Sequence, residues 1–151
     1  MDEFSVLLHV IIASILSGLI GYERSKIDKP AGVRTNMLVG GSVALLVALG
    51  EVIVIHFRNS GLGGFISMDP TRIIQAIIMG ISFIGAGMVL QIEKEKEVKY
   101  LTSAATILFA SGIGISVALK QYILAVGITI FILFINYLLG LIKKVRKKHI
   151  T

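Results

Sequence analysis

The sequence predicts an all-α membrane protein, a polytopic bundle of about five transmembrane helices, and three observations carry that expectation. The chain holds five long apolar runs, its charges gather in short blocks between them, and those blocks alternate between strongly and weakly basic. Hydrophobic residues make up 55% of the 151 positions, against roughly 45–50% for a soluble domain. Charged residues, at 16%, are too few to clothe a soluble domain of this size. A lipid solvent accounts for both the apolar excess and the segregation of charge.

The runs are Phe4–Tyr22, Val33–Phe57, Ile73–Ile92, Leu101–Leu119 and Tyr122–Ile142. Each lies near the roughly 20 residues that cross about 30 Å of hydrocarbon as a helix. The second is uncharged from Met37 to Gly50 and carries Glu51 near its far end. Only Lys120–Gln121 separates the last two, so they form either a tight helical hairpin or one long bent segment; the length fits two spans better. Between the second and third runs, Gly61, Gly63 and Gly64 mark a connector, and Asp69-Pro70 reads as a helix start with Asp69 at the cap. Glu93–Lys99 reads as a solvated charged connector. Residues 1–142 form the membrane domain and 143–151 a basic tail.

Basic residues fix the orientation, because cytoplasmic segments carry the excess. Twelve of the fifteen fall in the first loop (Arg24, Lys26, Lys29, Arg34), the third loop (Lys94, Lys96, Lys99) and the tail (Lys143, Lys144, Arg146, Lys147, Lys148). Arg58, Arg72 and Lys120 occupy the other side. The N-terminus is therefore expected outside and the C-terminus in the cytoplasm, which an odd number of spans permits. Asp2 and Glu3 make an acidic start, unlike a cleaved signal peptide, so the first run is expected to be retained. The net charge of +6 sits beside apolar segments, which argues for lipid contact and topology rather than nucleic acid. Cysteine is absent, which excludes disulfides, thiolate metal sites and cysteine nucleophiles.

Residues that interrupt the apolar pattern are the candidates for function. Small residues recur four apart, as in Ser14/Gly18, Ser17/Gly21, Gly40/Ala44/Ala48, Ala76/Gly80 and Gly112/Ser116. In lipid this spacing permits close helix contact, within the bundle or between copies. Gly80, Gly85 and Gly87 load one span with glycine, for packing or for a broken helix lining a cavity. His9, Glu51 and Gln75 lie at similar depth below the outer ends of three spans, as a polar site open to the outside or an interfacial cluster bathed by water. At the other end, Glu23 and Arg34 flank the first cytoplasmic turn, where a tight turn would pair carboxylate with guanidinium as a structural clasp. Thr102, Ser103 and Thr106 add hydroxyls at that depth.

Three blocks carry a family resemblance. Gly18-x-x-Gly21-x-Glu23-Arg24 followed by Ala31-Gly32-x-Arg34-Thr35, then Gly80-Ile81-Ser82-Phe83-Ile84-Gly85-Ala86-Gly87, then Leu101-Thr102-Ser103-Ala104-Ala105-Thr106 resemble, in order, the signature of the MgtC/SapB family of bacterial membrane proteins. The third block departs from the family's usual Gly-Leu-Thr-Thr by placing Tyr100 before Leu101, and Leu108 stands where a tryptophan is common. Many members continue into a soluble cytoplasmic domain, so the resemblance here is to the membrane domain.

The resemblance implies a multi-pass protein of the bacterial inner (plasma) membrane, linked to growth at low magnesium and, in pathogens, to survival in macrophages. It implies a non-enzymatic regulator of a partner membrane complex, with the membrane part of the proton-translocating ATP synthase as one such partner; the small-residue stripes leave a homo-oligomer as the other expected association. The alternative is a small oligomeric transporter or channel for Mg²⁺ or another ion. Magnesium usually needs one or two carboxylates, and only Glu23 and Glu51 lie near membrane depth, at opposite ends. No cofactor is expected, and metal-ligand and nucleophile-elbow spacings are missing, which disfavours an enzyme.

Overall fold

A computed structural model describes residues 3–25, 31–60, 69–90 and 100–148, the side chains of Leu90 and of 139–148 excepted. Five α-helices follow one another: α1 (Glu3–Ser25), α2 (Val33–Asn59), α3 (Pro70–Leu90), α4 (Leu101–Ala118) and α5 (Tyr122–Lys148). The first four are long and apolar enough to cross a membrane, and the described apolar part of α5 is Tyr122–Leu138. The chain is an all-α membrane helix bundle, as the apolar runs predict. The glycine-rich connector at 61–68 and the charged connector at 93–99 lie outside the described residues.

α4 is the central helix. Ten of its eighteen residues are buried, with Leu101, Leu108 and Phe109 on an exposed side, and it touches each of the other four helices. That fits a helix apolar all round rather than along one stripe. α1 and α2 pack against it as an intimate trio with Ala13, Ile20, Ala44, Ile113 and Val117 at its core. α3 is peripheral: it touches only α2 and α4, and among its described side chains only Ile77 and Gly85 are buried. Large apolar side chains such as Phe83 (81% exposed) and Ile123 (92%) point outward, the inside-out arrangement of a lipid-facing surface.

Small residues set the spacing of the trio. A Cβ on Gly21 would stand 2.6 Å from the Gly32 carbonyl oxygen and 2.8 Å from the Val33 Cα, so α1 meets the start of α2 backbone to backbone. A Cβ on Gly114 of α4 would stand 2.5 Å from the Gly40 carbonyl oxygen of α2. Ser17 of α1 packs on Gly40 and reaches the Ala110 carbonyl of α4 at 3.5 Å. Expected packing contacts are thus present at Gly18, Gly21, Gly40 and Gly85, the last against Ala104. An added Cβ on Gly80, Gly87 or Gly112 instead meets nothing within 4 Å, so these glycines make no close helix contact. α3 is a continuous helix through all three of its glycines, which removes the broken-helix alternative.

Local chemistry fixes the helix ends. Asp69 accepts hydrogen bonds from the Thr71 backbone N–H (2.9 Å) and hydroxyl (2.7 Å), with Pro70 as the first helical residue, so the expected cap forms. The Thr71 hydroxyl, then its N–H, holds the exposed Asp69 carboxyl below the usual carboxylate range. Between α4 and α5 the predicted hairpin is present. Gln121 N–H bonds the Ser116 carbonyl and Lys120 N–H the Val117 carbonyl, with Lys120 at φ 60°. This is the Schellman stop, built on a lysine where glycine is usual. Tyr100, at φ 70°, starts α4 from the same left-handed region.

Gly21→Ala is expected to destabilise the protein by about 1–3 kcal/mol, since backbone atoms must move to admit the methyl. Gly87→Ala, facing open space, is expected to leave the melting temperature of the detergent-purified protein unchanged. Equal melting shifts for the two would contradict the close approach.

Candidate functional site

Four of the last five residues of α1, Gly21, Glu23, Arg24 and Ser25, engage three different helices. Helical geometry explains how: successive side chains turn by about 100°, so neighbours in sequence point at different partners. Gly21 lies against Gly32 and Val33, and the Ser25 hydroxyl accepts the Val33 N–H at 3.0 Å. That bond occupies a donor in the first turn of α2, which has no side-chain cap from Gly32 itself. Asn36, fully buried, donates to the Ala31 and Gly32 carbonyls at 2.6 and 2.9 Å and locks the same turn.

Arg24 points the other way, into α4. It is 7% exposed. Nη2 donates to the Thr102 carbonyl and to the Thr106 hydroxyl, both at 2.6 Å, and Nε donates to Thr106 Oγ1 at 3.1 Å. Nη1 lies 3.4 Å from Thr102 Oγ1. Thr106 in turn donates to the Thr102 carbonyl at 2.7 Å. A guanidinium near the lipid boundary is thus solvated by one turn of a neighbouring helix. Arginine's planar fork suits this, because its five donors reach several acceptors at once.

Glu23 faces α5, where the Asn136 amide donates to its carboxylate at 2.5 Å. The expected Glu23–Arg34 clasp therefore does not form, and Arg34 is exposed, as is Thr35. The reason is angular. Gly21 presents the face that meets α2, and Glu23, two residues on, lies about 200° round the helix. The carboxylate turns towards α5 and the clasp closes between α1 and α5 instead.

The expected outer cluster of His9, Glu51 and Gln75 is not assembled either. His9 is buried, and its Nε2 shares a 2.7 Å hydrogen bond with the Tyr122 hydroxyl at the start of α5. Glu51 and Gln75 are exposed, and no hydrogen bond joins the three. Equal depth did not mean equal azimuth: α1 turns His9 into the bundle, while α2 and α3 turn the other two out. Among the described residues no group of three or more His, Cys, Asp or Glu side chains could hold a metal ion.

Sequence reasoning brought Glu23, Arg24, Thr102 and Thr106 to one end of the bundle but missed Asn136, Asn36 and Tyr122. Asn136 carried a signal, being an amide within an otherwise apolar span. His9–Tyr122 and Glu23–Asn136 together tie α1 to α5 at two points 14 residues apart on each helix, about 21 Å. The two helices therefore run parallel and in register. Ser103 Oγ, Asn36 Oδ1 and His9 Nδ1 are buried without a hydrogen-bond partner among the described residues.

The MgtC family model matches residues 10–145, nearly the whole bundle. The chain belongs to the MgtC family. It is 34% identical over 140 residues to protein MgtC of Salmonella typhimurium, covering 92% of this chain and 54% of that protein. It is 31% identical over 141 residues to protein SapB of Bacillus subtilis, covering 93% and 59%. It is 32% identical over 120 residues to the putative magnesium transporter YhiD of Escherichia coli, covering 80% and 54%. The chain thus spans a little over half the length of these relatives. No solved structure matches it. Within this family's pattern, the departure at Tyr100 falls on a left-handed residue, where glycine would carry no Cβ penalty.

Two pairs of substitutions probe the site. Thr106→Val removes two bonds to the guanidinium and is expected to cost about 1.5–3 kcal/mol, and its effect in an Arg24→Met background should shrink towards zero. Additive effects in thermal melting would show that the two residues act separately. Glu23→Gln keeps an acceptor for Asn136 but removes the charge beside Arg24, and is expected to cost less than Asn136→Leu, which strands a carboxylate and should lower membrane levels; the reverse order would break the assignment.

Proposed function

We propose that this chain is a non-catalytic, multi-pass protein of the bacterial inner membrane that serves adaptation to low magnesium by regulating a partner membrane complex. Membership of the MgtC family supports the magnesium connection. The observation that carries the regulatory reading is the allocation of polar groups. Glu23, Arg24, Thr102, Thr106 and Asn136 bond to one another across helices, so they hold the bundle's shape rather than line an aqueous path. The centre around α4 is filled by apolar and small side chains. The outward faces of α3 and α5 are broad and apolar, and on α3 Gly87 leaves a small-residue position with nothing within 4 Å of an added Cβ, where a partner helix could approach. The membrane part of the proton-translocating ATP synthase is one candidate partner.

A second reading, Mg²⁺ transport by an oligomer, draws on the name of the Escherichia coli relative. Magnesium retains its water and is usually held by one or two carboxylates. Here Glu51 is the exposed carboxylate at membrane depth, on α2. Proteoliposome uptake separates the two readings.

A tagged chain, expressed at native level and gently extracted from cells grown at limiting magnesium, is expected to co-purify with a stoichiometric membrane partner. Deletion is expected to impair growth under that limitation and to shift cellular ATP. Recovery of the chain alone, with Mg²⁺ uptake in proteoliposomes, would replace regulation with transport.

A further inference from the structure

Between α2 and α3 a groove opens sideways, with a volume of about 720 Å³. Its walls include Leu46, Gly50 and Ile53 of α2 and Ile77, Gly80 and Ile84 of α3, and they are almost wholly apolar. On α3 the lining runs from Arg72 to Ile84, a rise of about 18 Å along the helix. One leaflet contributes roughly 15 Å of hydrocarbon, so the groove is one leaflet deep. Arg72 is the charged residue among its walls and stands at its mouth, in the first turn of α3. Its guanidinium is exposed and makes no side-chain hydrogen bond to a described residue. Asp69, three residues before it, spends its hydrogen bonds on the Thr71 cap and interacts with Arg72 only through charge, which leaves the guanidinium donors open. Glu51 lines a separate cavity of about 230 Å³ that shares Gly50 and Ile73 with the groove.

From this geometry we infer that the α2–α3 groove is a binding site for an anionic phospholipid, one acyl chain lying along the groove and the phosphate on Arg72. Charge selects the occupant. A basic side chain at headgroup level above an apolar slot between helices is what an anionic lipid complements at both ends. The alternative occupant, a second copy of the chain, is told apart by the test, in which it would register as a dimer. The inference is independent of whether the protein regulates or transports.

The test uses the full chain in detergent, titrated with phosphatidylglycerol or phosphatidylcholine of matched chains and read by native mass spectrometry. The wild type is expected to retain one phosphatidylglycerol with several-fold preference over phosphatidylcholine. Arg72→Gln should reduce that preference to near parity. Gly80→Phe, at a position where an added Cβ meets nothing within 4 Å, should fill the groove and abolish retention of either lipid. Lipid-free melting temperatures of both variants should match the wild type, which separates a lost site from a lost fold. Equal retention of the two lipids by the wild type would overturn the proposal. So would an unchanged preference in Arg72→Gln, or a dimer that Gly80→Phe dissociates.

Discussion

The bundle rests on one close approach, where α1, α2 and α4 meet at Ser17, Gly40 and Gly114 with backbone atoms nearly in contact. In water, a bundle gathers its helices by removing apolar surface from the solvent. In lipid that force is absent between helices, and what remains is dispersion and polar bonding at short range. Both fall away steeply with distance, so the trio holds because its contact positions carry almost no side chain. Everything else is placed relative to this seam. Gly21, one turn beyond Ser17, brings the α1 end against the α2 start, and that fixes the azimuth from which Glu23 and Arg24 reach out. A larger residue at Gly114 would separate α2 from α4 and leave the polar end of the bundle without a frame.

The polar end shows how a membrane protein can carry charge where charge is costly. Arg24 and Glu23 are adjacent, yet each satisfies itself on a different neighbour, with hydroxyls and a carbonyl for one and an amide for the other. Their proximity balances charge locally, while the hydrogen bonds tie α4 and α5 to α1. Neutral partners are the economical choice here. A second full charge would have added its own desolvation cost, whereas threonine can satisfy its hydroxyl on its own helix when not donated elsewhere.

Much of this was legible in the sequence, because hydropathy and charge parity are one-dimensional signals. The five helices, the α4–α5 hairpin and the Asp69 cap follow from run length, spacing and capping chemistry, and the structure places each where expected. The site was legible in depth but not in direction. Glu23, Arg24, Thr102 and Thr106 were expected at one end and are found there. The partner of Glu23 depends on helix rotation, which span boundaries uncertain by a residue or two do not fix, since one residue is 100° of azimuth. For the same reason His9 was grouped with Glu51 and Gln75, although it faces inward to Tyr122. The glycines of α3 divide on a similar point. Gly85 packs against Ala104, whereas Gly80 lines the α2–α3 groove and Gly87 has nothing within 4 Å, and spacing alone does not distinguish them.

The two ties between α1 and α5 also bear on how the protein is made. Each joins residues 113 apart in the chain, and α1 enters the membrane well before α5 has been synthesised. In that interval His9 and Glu23 are without the groups that later satisfy them, and a carboxylate so placed draws α1 towards the interface. Arrival of α5 supplies Tyr122 at one face of the membrane and Asn136 at the other. The last helix thus supplies the final polar partners of the first, whose far end Gly21, Arg24 and Ser25 already join to α2 and α4.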